Sequence, residues 1–389
     1  MPDTAAIPIG GHRFAFRLAA FYAALFAISG AYMPFFPVWL QAIGLQPAEI
    51  GLIVAVPAVA RLLAVPVITA FAGRHDALRD GIIATACVTF ACFLLLGNMR
   101  TALTVAIVMY VLAWPWTAVV PLTDAYALRG VAWYRRDYGP IRLWGSVGYI
   151  VAALAAGFLV NWFGSFSTIW IIAAIAGVSA LSSFWLVPAG PAAPGALQIA
   201  KPTALLRTPA FVAVVAGAAL IQGSHSAYYT FSAISWQAAG MSSATVSMLW
   251  ALCVVVEVIL FALSPRLDLS PATLIAIGGG GALVRWIVMT QEPGLAVLAL
   301  AQTIHALSFG ATHLGAMGLL ARLVPGRFMA NAQGYLATAS SVLMASTGIA
   351  CGAVFGSLGQ SIYYGMAAMA LAGTIVVLLS RQAISKAMA

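Results

Sequence analysis

Long apolar runs follow one another along nearly the whole chain, and polar residues gather at the breaks between them. A membrane helix needs roughly 20 apolar residues. On that measure the pattern predicts twelve spans, at 16–41, 48–72, 80–98, 102–127, 141–161, 166–187, 209–236, 244–264, 271–290, 295–321, 328–357 and 360–380. The first uncharged run, Leu18 to Ala48, is too long for the apolar core of a secretory signal, and no small-residue cleavage site follows it. It therefore reads as a retained helix. The longest stretch of low hydropathy holds Pro188, Pro191, Pro194, Lys201, Pro202 and Arg207, the composition of a linker. The expected organisation is an N-terminal six-helix bundle at 1–188, a cytoplasmic linker at 189–208 and a C-terminal six-helix bundle at 209–389.

Composition sharpens this. The chain has 389 residues, 63% hydrophobic and 7% charged, against about 25% charged in an ordinary soluble domain. Too few charges exist to cover a water-facing surface, and disorder needs the opposite composition. The 36 glycines suit helices that pack closely in lipid. Cys87, Cys92, Cys253 and Cys351 all lie in apolar runs and read as small buried hydrophobes rather than a disulfide frame or a metal site.

The net charge of +9 follows from topology. Fourteen Lys and Arg residues fall on the side that holds both termini, at 13, 17, 74, 79, 129, 135, 136, 201, 207, 266, 322, 327, 381 and 386, whereas Arg100 stands alone on the other. By the positive-inside rule both termini are expected in the cytoplasm, with the chain in the inner membrane of a bacterium. No basic, aromatic-interleaved soluble segment exists, so nucleic acid is not an expected partner.

The two halves echo each other. Gln41-Ala42-Ile43-Gly44 follows the first span as Gln237-Ala238-Ala239-Gly240 follows the seventh, and Arg74-x-Asp76 follows the second as Arg266-x-Asp268 follows the eighth. With the linker and the even helix count, this points to parallel structural repeats of the major facilitator type. Such a fold implies a solute site between its halves, near the bilayer midplane.

Five charged residues remain inside the spans: Arg61, Asp124, Arg142, Glu257 and Arg285. Each costs about 2.5–3.5 kcal/mol or more at a helix centre unless it is paired or faces water. Asp124 lies five residues before Arg129, and Arg142 five after Asp137, which places both roughly 8 Å inside the loop charges. Asp124 and Arg142 are thus expected to meet. Glu257 is deeper and occupies the place in the second half that Arg61 has in the first. Arg285 and His305 are mid-helix. His225 heads a stripe with Gln222, Tyr229, Ser232 and Trp236 at helical spacing, one polar face of the kind a solute site needs. A lone membrane histidine is as often a satisfied interhelical donor, and His313 reads that way.

Three arginines against two carboxylates leave +1 inside the membrane, which an anionic solute would neutralise. Proton coupling needs a group that can titrate near ambient pH, and a buried carboxylate or a histidine qualifies. Glu257, the deepest, leads, followed by His305 and Asp124. No sodium-type cluster of carboxylates occurs. The coupling ion is expected to be the proton, with no other cofactor and no metal.

Several strings resemble the phenylpropionate permease family of the major facilitator superfamily. They are Ser224–Gln237 (SHSAYYTFSAISWQ), Pro121–Ala125 (PLTDA), Ile141–Gly148 (IRLWGSVG), Leu249-Trp250-Ala251-Leu252 running to Glu257, Arg285-Trp286, Gln302–Gly310 with His305, and Ala311–Gly315 with His313. The resemblance covers nearly the whole chain. It implies twelve helices and proton-driven uptake of an aromatic carboxylate by alternating access. That family is similar to lactose permease and its sugar and nucleoside relatives. There an acid on helix 4 pairs with an arginine on helix 5, and a helix 8 glutamate binds sugar; Asp124, Arg142 and Glu257 match by spacing, as Arg285 and His305 match a helix 9 arginine and a helix 10 histidine. Two departures stand out. Ser308 occupies the place of a proton-carrying glutamate, and Gly73 precedes Arg74 where the superfamily's loop motif has an aspartate.

Three readings stay open: a proton-coupled importer of an aromatic acid, a proton symporter of sugars or nucleosides, and an exporter of drugs or metabolites. The candidate coupling and charge-pair residues are Asp124, Arg142, Glu257, Arg285 and His305. Candidate solute contacts are Arg61, Trp144, Gln222, His225, Tyr228, Tyr229, Trp236 and Gln302, the aromatics offering ring contacts. No phosphate-binding loop, HExxH or GxSxG motif supports an enzyme, and superfamily resemblance favours a monomer.

Overall fold

The computed structural model describes residues 10–191, 202–325 and 328–388. Half of the expected linker, residues 192–201 with Pro194 and Lys201, and Arg327 lie outside the described residues. Fifteen helices run in chain order: α1 (Gly11–Ala42), α2 (Pro47–Arg74), α3 (Leu78–Leu96), α4 (Ala102–Tyr134), α5 (Tyr138–Phe163), α6 (Thr168–Ser183), α7 (Pro209–Gly223), α8 (Ser226–Ala238), α9 (Ser243–Leu263), α10 (Pro271–Met289), α11 (Leu295–Thr303), α12 (Thr312–Leu323), α13 (Met329–Leu358), α14 (Ile362–Leu379) and α15 (Arg381–Met388).

Among the described residues eleven stretches are long and apolar enough to cross a membrane, and one of them, Met329–Leu379, is 51 residues long. Gly359, at φ 50° in the left-handed region, breaks that stretch into α13 and α14, which gives the twelve expected crossings. Two crossings are interrupted. The seventh is α7 and α8, bent at Ser224-His225, and the tenth is α11 and α12, joined through a π-helical segment at Ala306–Ala311. The fourth is longer than its hydropathy predicts, so Arg129, read as a loop charge, lies in the last turns of α4.

Helix starts follow their capping residues. Ser242, Ser270 and Thr101 are extended and accept a hydrogen bond from the amide three residues on, and Pro271 opens α10 where its missing donor is harmless.

The chain forms two compact units, Met1–Leu45 with Val59–Leu197, and Gln46–Ala58 with Gln198–Ala389. In the first unit, α1 packs along α5 and α6, and Phe14, Phe21, Tyr22, Leu122 and Tyr126 centre its core. α1 and α5 cross at Gly30 and Gly148. A Cβ on Gly30 would overlap the Tyr149 carbonyl, and one on Gly148 the Ala23 carbonyl, both backbone atoms that have nowhere to go. Gly148→Val is therefore expected to lose most folded protein, since overpacking costs about 1–3 kcal/mol even where side chains yield. Size-exclusion yield and melting temperature in detergent check this. In the second unit, Gly51 of α2 meets Gly348 and Gly352 of α13 at similarly short range.

At the α2–α3 turn, Asp76 accepts a 2.6 Å hydrogen bond from Arg129. That bond holds the Asp76 carboxyl below the usual carboxylate range. Its stabilisation is present at neutral pH and disappears as pH falls through the depressed value. Asp76, the acid two residues after Arg74 in the repeated Arg-x-Asp pattern, thus has a defined partner.

Candidate functional site

In the first unit, Asp124 of α4 is the centre of a hydrogen-bonded group. Its Oδ1 accepts from Tyr22 of α1 at 2.6 Å and from Tyr138 of α5 at 2.9 Å. Arg142 Nε stands 3.9 Å from the same oxygen, and its guanidinium lies 4.0 Å over the Phe26 ring. The expected neighbours are brought together, but the two phenols make the short bonds and the arginine is held mainly over an aromatic face. A hydrogen bond to a charged acceptor contributes about 1.5–3 kcal/mol. Tyr22→Phe is expected to lower the melting temperature by several degrees and to draw Arg142 toward Asp124.

The second unit holds the denser cluster. α7 stops because Ser224 Oγ donates to the Ile221 carbonyl at 2.6 Å and His225 Nδ1 bonds the same carbonyl at 3.1 Å. A carbonyl only accepts, so the His225 proton sits on Nδ1 and its Nε2 accepts from Ser308 Oγ at 3.1 Å. The π-helical segment, a bulge that redirects side chains, presents Ser308 there. The serine found in place of a glutamate thus serves a histidine on the seventh crossing. The bend also divides the expected polar stripe. Gln222 turns to α13, where it accepts from Ser340 at 2.8 Å, and His225 faces His305 and Trp286.

Arg285 is fully buried. α10 can bring it close because Gly278 leaves room for Thr312 and the Leu307 carbonyl. Its Nη1 donates to His305 Nδ1 at 3.0 Å and its Nη2 to Gln302 Oε1 at 2.7 Å. Its guanidinium lies 4.3 Å from the centre of the Tyr228 ring and 4.7 Å from that of Trp286. Cys253 Sγ donates to Gln302 Oε1 at 3.0 Å. Among the described residues no carboxylate forms an ion pair with Arg285. Arg285 Nε and Gln302 Nε2 are buried donors without a partner there.

An arginine never accepts, so His305 Nδ1 must be bare and its proton must sit on Nε2. That nitrogen faces Glu257 Oε2 at 3.6 Å. His305 therefore bridges the arginine and the carboxylate. Aromatic walls enclose the group: Tyr228 stacks on Trp250 at 4.8 Å, His305 on Phe309 at 5.6 Å, and Trp286 on Tyr363 at 5.7 Å. Tyr229 reaches Trp250 and the edges of both histidines.

Of the remaining expected contacts, Trp236 is buried beside Tyr228 at 6.1 Å. Arg61 is exposed on α2 and has no ion-pair partner among the described residues. Trp144 sits two positions from Arg142, hence on the other side of α5. It lines an apolar groove of about 1100 Å³ between α1, α5 and α6. His313 stacks on Phe309 at 6.4 Å. Three participants escaped the sequence reading. Cys253 reads as a hydrophobe, and nothing in the sequence singles out Tyr22 or Tyr138; in each case the partner is on another helix and no local pattern marks it.

Charged groups sit within the helices of both units, half-buried in the first and fully buried at Arg285 in the second, and the family to which this multi-pass helical membrane protein belongs makes it a transporter in class, not an enzyme. The chain belongs to the MFS_1-like family, whose model matches residues 15–367. It is 34% identical over 367 residues to the probable 3-phenylpropionic acid transporter of Escherichia coli K12, covering 91% of this chain and 94% of that one. It is 26% identical over 320 residues to a maltose permease of Geobacillus stearothermophilus, covering 80% of each. In fold it is similar to the nucleoside transporter NupG, with TM-scores of 0.82 and 0.79 in two structures at 15% and 14% identity, over 94% of this chain and 99% and 98% of those. A D-xylose–proton symporter gives 0.73 at 13% identity, over 94% of this chain and 97% of that one.

Proposed function

We propose that this protein imports a small aromatic carboxylate together with protons by alternating access. The observation that carries the reading is the Arg285 site: a fully buried guanidinium that, among the described residues, is in direct contact with no carboxylate and reaches Glu257 only through His305. Arg285 Nε and Gln302 Nε2 stand there as two donors lacking acceptors. Buried donors are normally satisfied and buried charges paired directly, and a solute carboxylate offers two acceptor oxygens and a directly contacting counter-charge in one planar group. The rings of Tyr228 and Trp286 beside the guanidinium suit an aryl group on the same solute. The likeness to the probable 3-phenylpropionic acid transporter of Escherichia coli supports 3-phenylpropionate or a close analogue. Glu257 and His305 are the coupling groups in this reading. The proton is the coupling ion, and no other cofactor is involved. Import as a monomer through the cytoplasmic membrane, with both termini inside, accords with the distribution of Lys and Arg.

A thermal-shift panel tests the solute class. A ligand at 100 times its dissociation constant stabilises the folded state by about 2.7 kcal/mol. 3-Phenylpropionate and related aryl carboxylates should raise the melting temperature, and their amides, maltose and nucleosides should do so far less. Stabilisation by sugars or nucleosides alone would overturn the proposal.

A further inference from the structure

We infer that solute and proton are coupled by partner exchange at Arg285: the solute carboxylate takes the guanidinium from His305 Nδ1, and the nitrogen so released accepts the proton. This rests on the reading of the solute as a carboxylate and goes beyond it by assigning the proton to one atom. In the cluster as it stands the 3.0 Å bond from Arg285 Nη1 occupies the only basic nitrogen of His305. While that bond lasts, His305 cannot become an imidazolium, because protonation would set N–H against N–H beside a permanent cation.

Charge balance then links the two events. With Glu257 ionised, Arg285 and Glu257 sum to zero. A carboxylate arriving alone would leave a net charge of −1 in a desolvated cluster, which is costly. One proton from water, added to His305 Nδ1, restores zero. No other bond is made or broken. The cluster re-pairs completely: Arg285 holds the solute carboxylate, and the imidazolium, with Nε2–H already 3.6 Å from Glu257, gains that carboxylate as counter-ion. A neutral analogue cannot displace the guanidinium and brings no proton.

The groups around His305 favour that nitrogen. From α9 come Glu257 and, beyond the Gln302 amide, Cys253. From α10 comes Arg285. From α8 come Tyr228 and Tyr229 at ring distances of 6.2 and 6.5 Å. His225, at the α7–α8 bend, lies 5.4 Å away. His313 of α12 lies beyond Phe309. His225 is the rival proton acceptor, but its Nδ1 donates to a carbonyl and its Nε2 already accepts from Ser308. Taking a proton would reverse that bond, with Ser308 Oγ accepting and donating instead to the His305 carbonyl at 3.3 Å, but among the described residues no carboxylate pairs with His225 to hold the new charge.

Two measurements on the unmutated protein test this. Titration in weak buffer counts the protons taken up on binding, and nitrogen NMR of histidine-labelled protein reads tautomer and charge. His305→Gln serves only to assign one of the five histidines. 3-Phenylpropionate should bind with uptake of about one proton, so that its affinity falls about tenfold per pH unit on the alkaline side. The His305 signal should pass from the Nε2–H tautomer to imidazolium. 3-Phenylpropanamide should take up no proton and leave the tautomer unchanged. Carboxylate binding without proton uptake, or with His305 still neutral, overturns the exchange and leaves the carboxylate reading standing. Absence of carboxylate binding altogether overturns that reading as well.

Discussion

Arg285→Gln is expected to weaken 3-phenylpropionate binding about 100-fold. Truncating one partner of a buried charge pair costs about 2–5 kcal/mol, much of it the penalty of stranding the other charge. Each 1.4 kcal/mol is about tenfold in affinity, so a value near 3 kcal/mol gives the stated loss. The glutamine keeps an amide that can reach Gln302 and leaves the rings of Tyr228 and Trp286 in place. Binding of the neutral 3-phenylpropanamide should therefore change by less than about threefold, since its contacts are with rings and amides rather than the charge. Calorimetry with both ligands separates a lost charge contact from a damaged fold. Equal losses for acid and amide would mean that Arg285 supports structure and not the solute.

Glu257→Gln is expected to abolish uphill accumulation while solute exchange continues. The carboxylate 3.6 Å from His305 is the counter-charge that makes a protonated imidazole affordable in a buried site. With glutamine there, Arg285 alone gives the empty cluster a charge of +1, and the carboxylate solute neutralises it without a proton. Binding and counterflow should stay within about threefold of the unmutated protein, because the Arg285 contact is intact. Accumulation driven by a pH gradient should fall to the level of simple equilibration. Unchanged accumulation in this variant would remove Glu257 from coupling.

Much of this architecture is legible in the sequence, because bilayer thickness imposes one length on every span. The breaks at the linker and at Gly359 also carry ordinary turn chemistry. The five intramembrane charges stand out for the same reason: nothing else in an apolar helix is as costly. Finer features fail where the deciding contact is between helices. Nothing near Asp124 announces Tyr22, 102 residues away. The stripe from Gln222 to Trp236 assumes an unbroken helix, but Ser224 and His225 turn their side chains onto the Ile221 carbonyl and rotate Gln222 out of the group. Cys253 looks apolar until Gln302 is placed 3.0 Å away. Trp144 belongs to the right string but the other side of its helix. Ser308 reads as a loss until the π-helical segment sets it against His225.

The central claim, proton-coupled import of an aromatic carboxylate, meets its most direct test in proteoliposomes of the purified protein with an imposed inward proton gradient. Labelled 3-phenylpropionate should accumulate above its external concentration and drain when a protonophore collapses the gradient. Failure of the acid to accumulate, with maltose or a nucleoside accumulating in its place, would contradict the account.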